Sequence, residues 1–90
     1  MKIRQIYKYP LMGWEDSEIS IPMPEGSEIL EAGFDPQGVL CIWVLVYPDD
    51  EQFLRTFRVY GTGFEVVGEV IHLSTVTDRE FVWHIFEVLG

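Results

Sequence analysis

The stretch Val39-Leu40-Cys41-Ile42-Trp43-Val44-Leu45-Val46-Tyr47 is apolar at all nine of its positions, and its reading decides the fold. Turn-forming residues bound it on both sides, Asp35-Pro36-Gln37-Gly38 before and Pro48-Asp49-Asp50 after. A short apolar run between turns is the pattern of a buried central strand with cover on both faces. Side chains alternate along a strand, so Cys41 and Trp43 are expected on one face and Ile42 and Val44 on the other. The run is also far short of the roughly 20 residues that a membrane-spanning helix needs.

Working outward, the same alternation recurs. Upstream, Ile3, Tyr7 and Tyr9 share one face of a segment ending at Pro10. Ile19, Ile21 and Met23 then alternate with Glu18, Ser20 and Pro22, a half-buried strand that Pro22 assigns to a sheet edge. After a turn at residues 24–27, Leu30, Ala32 and Phe34 take one side of the next strand and Ile29 and Glu31 the other. Downstream, Phe53, Arg55, Phe57 and Val59 oppose Leu54, Thr56, Arg58 and Tyr60. A helix over residues 49–58 is the competing reading, opposed by Thr56, Val59 and Tyr60. Gly61 and Gly63 break this strand, residues 64–67 are expected to resume it, and residues 70–76 and 81–89 form a last hairpin around Asp78 and Arg79. The expectation is one all-β domain over residues 1–90, a small antiparallel sandwich or barrel of six or seven strands.

Composition narrows the function classes. Ninety residues with 48% hydrophobic side chains make one globular core, too apolar to stay disordered. Six Phe, four Tyr and three Trp are more rings than so short a chain hides easily, and edge strands add to this, so a homo-oligomer completing the fold is expected. Fifteen acidic against six basic residues give a net charge of −9, which repels nucleic acid. Residues Met1, Lys2, Ile3 and Arg4 lead into no apolar stretch of the secretory kind, and nothing predicts a membrane span. The one cysteine, Cys41, reads as a small buried apolar residue in a reducing compartment.

No motif carries catalysis. Ser17, Ser20, Ser27 and Ser74 lack a nucleophile-elbow context, and Cys41 has no histidine near it in sequence, so no enzyme is expected. A regular hairpin centred on Asp78 and Arg79 sets His72 opposite Ile85 and His84 opposite Leu73, on different faces. One metal is then not shared by both histidines, no metal or cofactor is expected, and His72 has Glu87 as its diagonal neighbour. The most informative stretch is Arg58-Val59-Tyr60-Gly61-Thr62-Gly63. Its glycines permit a backbone nest of N–H groups, and Arg58 and Tyr60 share a strand face beside it. Arg58, Tyr60, Gly61, Thr62 and Gly63 are the candidate cradle for an anionic ligand; the competing reading is a tight turn with Arg58 neutralising nearby carboxylates.

Lys8-Tyr9-Pro10-Leu11, Ile21-Pro22-Met23-Pro24 with Ile29-Leu30, Cys41-Ile42-Trp43, Arg55-Thr56-Phe57 with Tyr60-Gly61-Thr62-Gly63, and His84-Ile85-Phe86-Glu87 together resemble a family of small tailed-bacteriophage proteins of unknown function. The resemblance spans nearly the whole chain; where that family often has histidine after the Gly-Thr-Gly turn, Phe64 stands here. It implies a phage accessory protein acting in the host bacterial cytoplasm. Three classes of role are expected in order: sequestration of a small anionic ligand such as a host signalling nucleotide, in counter-defence; an acidic inhibitor covering a basic nucleic-acid-binding surface of a host protein; and a structural or assembly component. In the second, Asp49, Asp50 and Glu51 and the Glu15, Asp16, Glu18 group act as phosphate mimics.

Overall fold

The decisive stretch becomes β4 (Leu40–Val46), which lies between β1 (Gln5–Pro10) and β3 (Glu28–Phe34) in a three-stranded antiparallel sheet of order β1-β4-β3. A second antiparallel sheet contains β2 (Ile19–Pro24), β5 (Gln52–Gly61), β6 (Val70–Asp78) and β7 (Phe81–Val88), in the order β2-β5-β7-β6. These assignments come from a computed structural model, which describes residues 1–90 and contains seven strands and no helix. The chain is an all-β sandwich. Pro22 and Pro24 lie on β2 at the edge of the larger sheet, where a missing N–H breaks no inner ladder. β3 and β6 come side by side where the sheets meet, with Gly33 close to Val76. No helix is long and apolar enough to cross a membrane.

Alternation builds the core. Leu40, Ile42, Val44 and Val46 project from β4 toward Ile21, Met23, Phe57 and Ile85 of the facing sheet, with Leu11 and Ala32 completing the cluster. Burying a side chain of this size fully contributes roughly 1.5–3 kcal/mol, so Phe57→Ala is expected to cost about 3–5 kcal/mol. The far face of β4 departs from the expectation of cover on both sides. Cys41 is fully buried there, but Trp43 and Leu45 are only half-buried, and Ile6 and Leu30 stand exposed. The smaller sheet has a second layer on one face alone.

Three further departures have local causes. A β-bulge between Ile29 and Glu31 adds one residue to β3, so Ile29 joins Ala32 and Phe34 against the core and Leu30 turns outward. A second bulge, between His72 and Ser74, shifts the hairpin register: His72 pairs with Phe86, whereas Thr75 pairs with His84. Residues 64–67 are not a strand. Because β5 and β6 both run antiparallel to β7, they are parallel to each other, and residues 62–69 must carry the chain back along the length of β7. That traverse leaves Phe64, Val66 and Val67 exposed. It is anchored where the Leu89 N–H donates to the Glu69 carbonyl at 2.8 Å. Gly68 beside it has φ +82°, and a Cβ there would lie 2.9 Å from the Gly90 carbonyl oxygen.

Candidate functional site

The strand-face argument places Arg58 and Tyr60 on the outer side of the larger sheet, and the geometry around them is specific. The Arg58 guanidinium donates through Nε to Glu18 Oε2 at 2.7 Å and through Nη1 to the Tyr60 hydroxyl at 3.1 Å. These two bonds, Tyr60 first and Glu18 second, push the Arg58 pKa further above its ordinary value. Tyr60 itself is buried and meets Phe86 edge-on at 5.5 Å. The turn beyond it closes with the Phe64 N–H donating to the Gly61 carbonyl at 3.1 Å. Gly63 supplies the left-handed position at φ +94°, while Gly61 is packed close under the rings of Phe64 and Trp83.

The five cradle residues therefore divide. Arg58 and Tyr60 border a shallow cleft of about 280 Å³ that also includes Glu15, Asp16 and Glu18, so carboxylates outnumber its single cation. Gly61 and Thr62 border a cleft of about 430 Å³ with Phe64, Phe81 and Trp83. Phe64 touches both, and Gly63 lines neither. The positively charged end of the cradle is already engaged by a carboxylate from the β1–β2 connection, as in the competing tight-turn reading.

The two histidines are on one face, correcting the expectation that alternation separates them. Without a bulge, His72 and Thr75 would point oppositely; the extra residue in β6 brings them to the same side. His72 Nε2 lies 2.8 Å from Thr75 Oγ1, and His84 Nδ1 lies 3.0 Å from that same oxygen. His84 Nε2 in turn lies 2.8 Å from Thr62 Oγ1. The result is a hydrogen-bonded chain, Thr62–His84–Thr75–His72, on the exposed side of the sheet. The ring of His72 is braced edge-on against Phe86 at 5.3 Å. No pattern in the sequence marks this slip: Leu73 and Val76 pack against the core, but Ile71, which alternation would place with Leu73, is exposed.

Glu87 is not the partner of His72. It faces inward, 10% exposed, and takes both Nε and Nη2 of Arg55 at 2.6 and 2.7 Å, while Arg55 Nη1 donates to the Ser27 carbonyl. On the smaller sheet, Asp35 caps its turn by accepting the Gln37 and Val39 N–H groups at 2.9 Å each and pairs with Lys8. Cys41 lies against Asp35 and Val39, and burial pushes its thiol pKa up, which disfavours the thiolate a nucleophile needs.

Four of the six basic side chains are in ion pairs, with Asp50, Asp35, Glu87 and Glu18. Arg4 lies over the Tyr47 ring at 5.8 Å. The two acidic groups noted in the sequence sit at opposite ends of the sandwich, because one precedes β2 and the other precedes β5, and those strands are antiparallel. At the β5 end, the Glu25 N–H donates to the Glu51 carbonyl at 2.7 Å, which joins the β2–β3 and β4–β5 turns. Glu25, Asp49 and Glu51 are exposed there, and only Asp50 is matched, by Lys2.

No curated protein and no solved structure matches the chain. Residues 2–89 match the family described as a domain of unknown function, DUF7352, and the chain belongs to that family.

Proposed function

We propose that this protein acts by binding, as an acidic inhibitor that covers a basic, nucleic-acid-binding surface of another protein. The observation that carries this reading is the Glu25–Glu51 backbone bond, which gathers carboxylates from two separate turns into one acidic end. Three of the six basic side chains are paired elsewhere in the molecule, while Lys2 and Arg4 lie near this end, Lys2 on Asp50 and Arg4 over Tyr47, and leave Glu25, Asp49 and Glu51 without an ion-pair partner. Clustered carboxylates attract a cationic partner by long-range steering and repel nucleic acid itself. The resemblance to tailed-phage proteins supports a host bacterial protein as the partner and the host cytoplasm as the place. The test is displacement: a captured host protein, once identified, should release bound DNA or RNA when this chain is added. Glu25→Lys/Asp49→Lys/Glu51→Lys should abolish that effect, and an undiminished effect would overturn the assignment.

A second reading, sequestration of a small anionic ligand such as a signalling nucleotide, draws support from Thr62, whose hydroxyl joins the Gly61–Gly63 turn to His84 beside Tyr60 and Phe86. Here Arg58 must exchange Glu18 for the ligand, with Tyr60 as an aromatic wall and the backbone of Gly61, Thr62 and Gly63 as donors. Calorimetry with a bacterial nucleotide panel tests it, with a more than tenfold loss of affinity expected for Arg58→Ala. A homodimer fits either reading, through the face where Ile6 and Leu30 are exposed beside Trp43 and Leu45. Sedimentation as a monomer at tens of micromolar, roughly the range of weak self-association, would exclude it.

A further inference from the structure

We propose that His72 and His84 form a binding site for a borderline-soft divalent cation of the zinc type. Imidazole nitrogen suits such ions, and a metal requires lone pairs from separate side chains directed at one point. His72 Nε2 and His84 Nδ1 both lie within 3.0 Å of Thr75 Oγ1; its single hydroxyl proton serves one of them, so the other donates its own N–H there in the metal-free protein and has to move that proton to its second ring nitrogen when a cation binds. A zinc ion is held at about 2.0–2.1 Å from nitrogen, so each ring needs to close by roughly 1 Å while the Thr75 hydroxyl rotates off the point that it occupies in the metal-free protein.

The surroundings hold both rings in the orientation that binding requires. In metal sites the second nitrogen of a ligating histidine donates its N–H to a fixed acceptor, which sets the tautomer. Thr62 Oγ1 lies 2.8 Å from His84 Nε2, and the tautomer that donates from Nε2 to Thr62 is the one that leaves the Nδ1 lone pair toward the shared point. His72 is held by its edge-on contact with Phe86, which lies directly across the ladder from it. No group of three or more His, Cys, Asp or Glu side chains converges anywhere in the chain, so the protein supplies two nitrogens and water completes the shell. The site faces solvent, which gives a cation direct access.

Zinc chloride titrated calorimetrically into the untagged protein at pH 7.5, in a buffer that does not chelate, tests the assignment. One ion per chain should bind, and His72→Ala and His84→Ala should each weaken binding at least tenfold. Thr62→Val should weaken it about tenfold, within the range for loss of a supporting hydrogen bond. The Cε1–H proton resonances of both histidines should shift with zinc. These side chains lie outside the core, so circular dichroism should show the variants still folded. Wild-type affinity in a His72→Ala/His84→Ala double variant, or loss in only one of the single variants, would overturn the shared site.

Discussion

Arg55 and Arg58 stand three residues apart on one strand, each with a carboxylate partner, yet they do different things. Alternation sends Arg55 between the sheets, where it makes a two-pronged bond to a nearly enclosed Glu87 and reaches across to the Ser27 carbonyl. It sends Arg58 outward, to a Glu18 that keeps 46% of its side chain exposed. The same pair of charges is a structural tie in one place and a surface contact in the other. What separates them is how much water each loses, because an enclosed charge that loses its partner is left with no solvent to replace it.

The largest expected effect follows from the inner pair. Arg55→Ala leaves Glu87 enclosed without its partner and is expected to destabilise the fold by about 3 kcal/mol, toward the lower end for a buried pair because Arg55 is itself 26% exposed. Urea unfolding measures this. Replacing both charges, as Arg55→Met/Glu87→Leu, should recover most of the loss, since no orphaned carboxylate remains. If the single variant unfolds at the wild-type midpoint, the inner pair is no more than a surface contact and the comparison fails.

Asp35 offers an intermediate case and a dependence on pH. Its bond to Lys8, then the Val39 and Gln37 N–H groups, hold its pKa at about 2 against an ordinary 3.8. A carboxylate with a depressed folded-state pKa contributes stability that is complete above its unfolded value and is lost as pH falls through the folded one. The stability difference between the wild type and Asp35→Asn should therefore be constant above about pH 4 and shrink between pH 4 and pH 2. Urea midpoints for both chains across that range would show it. A difference that persists unchanged at pH 2 would mean that Asp35 acts through shape and not charge.

Much of this was legible in the sequence because alternation is a local property. The opposite faces of the two β5 arginines follow from period-two alternation, the edge position of Pro22 from its missing N–H, and the central place of β4 from a continuous apolar run bounded by turn residues. What was not legible depends on single-residue insertions and on topology. Nothing local to His72 says that a bulge follows it, yet that bulge decides whether the two imidazoles meet. Residues 64–67 have strand-like composition, but the parallel relation of β5 and β6 makes them a traverse. The Arg58 cradle was legible as a set of neighbours but not as a charge balance, because Glu18 arrives from the β1–β2 connection forty residues earlier.

The smallest effect sharpens the comparison most. Arg58 and Glu18 are 31% and 46% exposed, so water screens both and replaces either partner when the other is removed. Arg58→Ala should then lower the urea midpoint far less than Arg55→Ala does, and 1 M salt, which shortens the screening length to roughly 3 Å, should remove most of what remains. The Arg55 pair should resist the same salt, because its carboxylate is enclosed. Unfolding the two single variants with urea at low and high salt gives four midpoints, and the expectation is a salt-dependent difference for Arg58 alone. Equal salt dependence at both arginines would mean that solvent reaches the inner pair as freely as the outer one, and that exposure does not separate their roles.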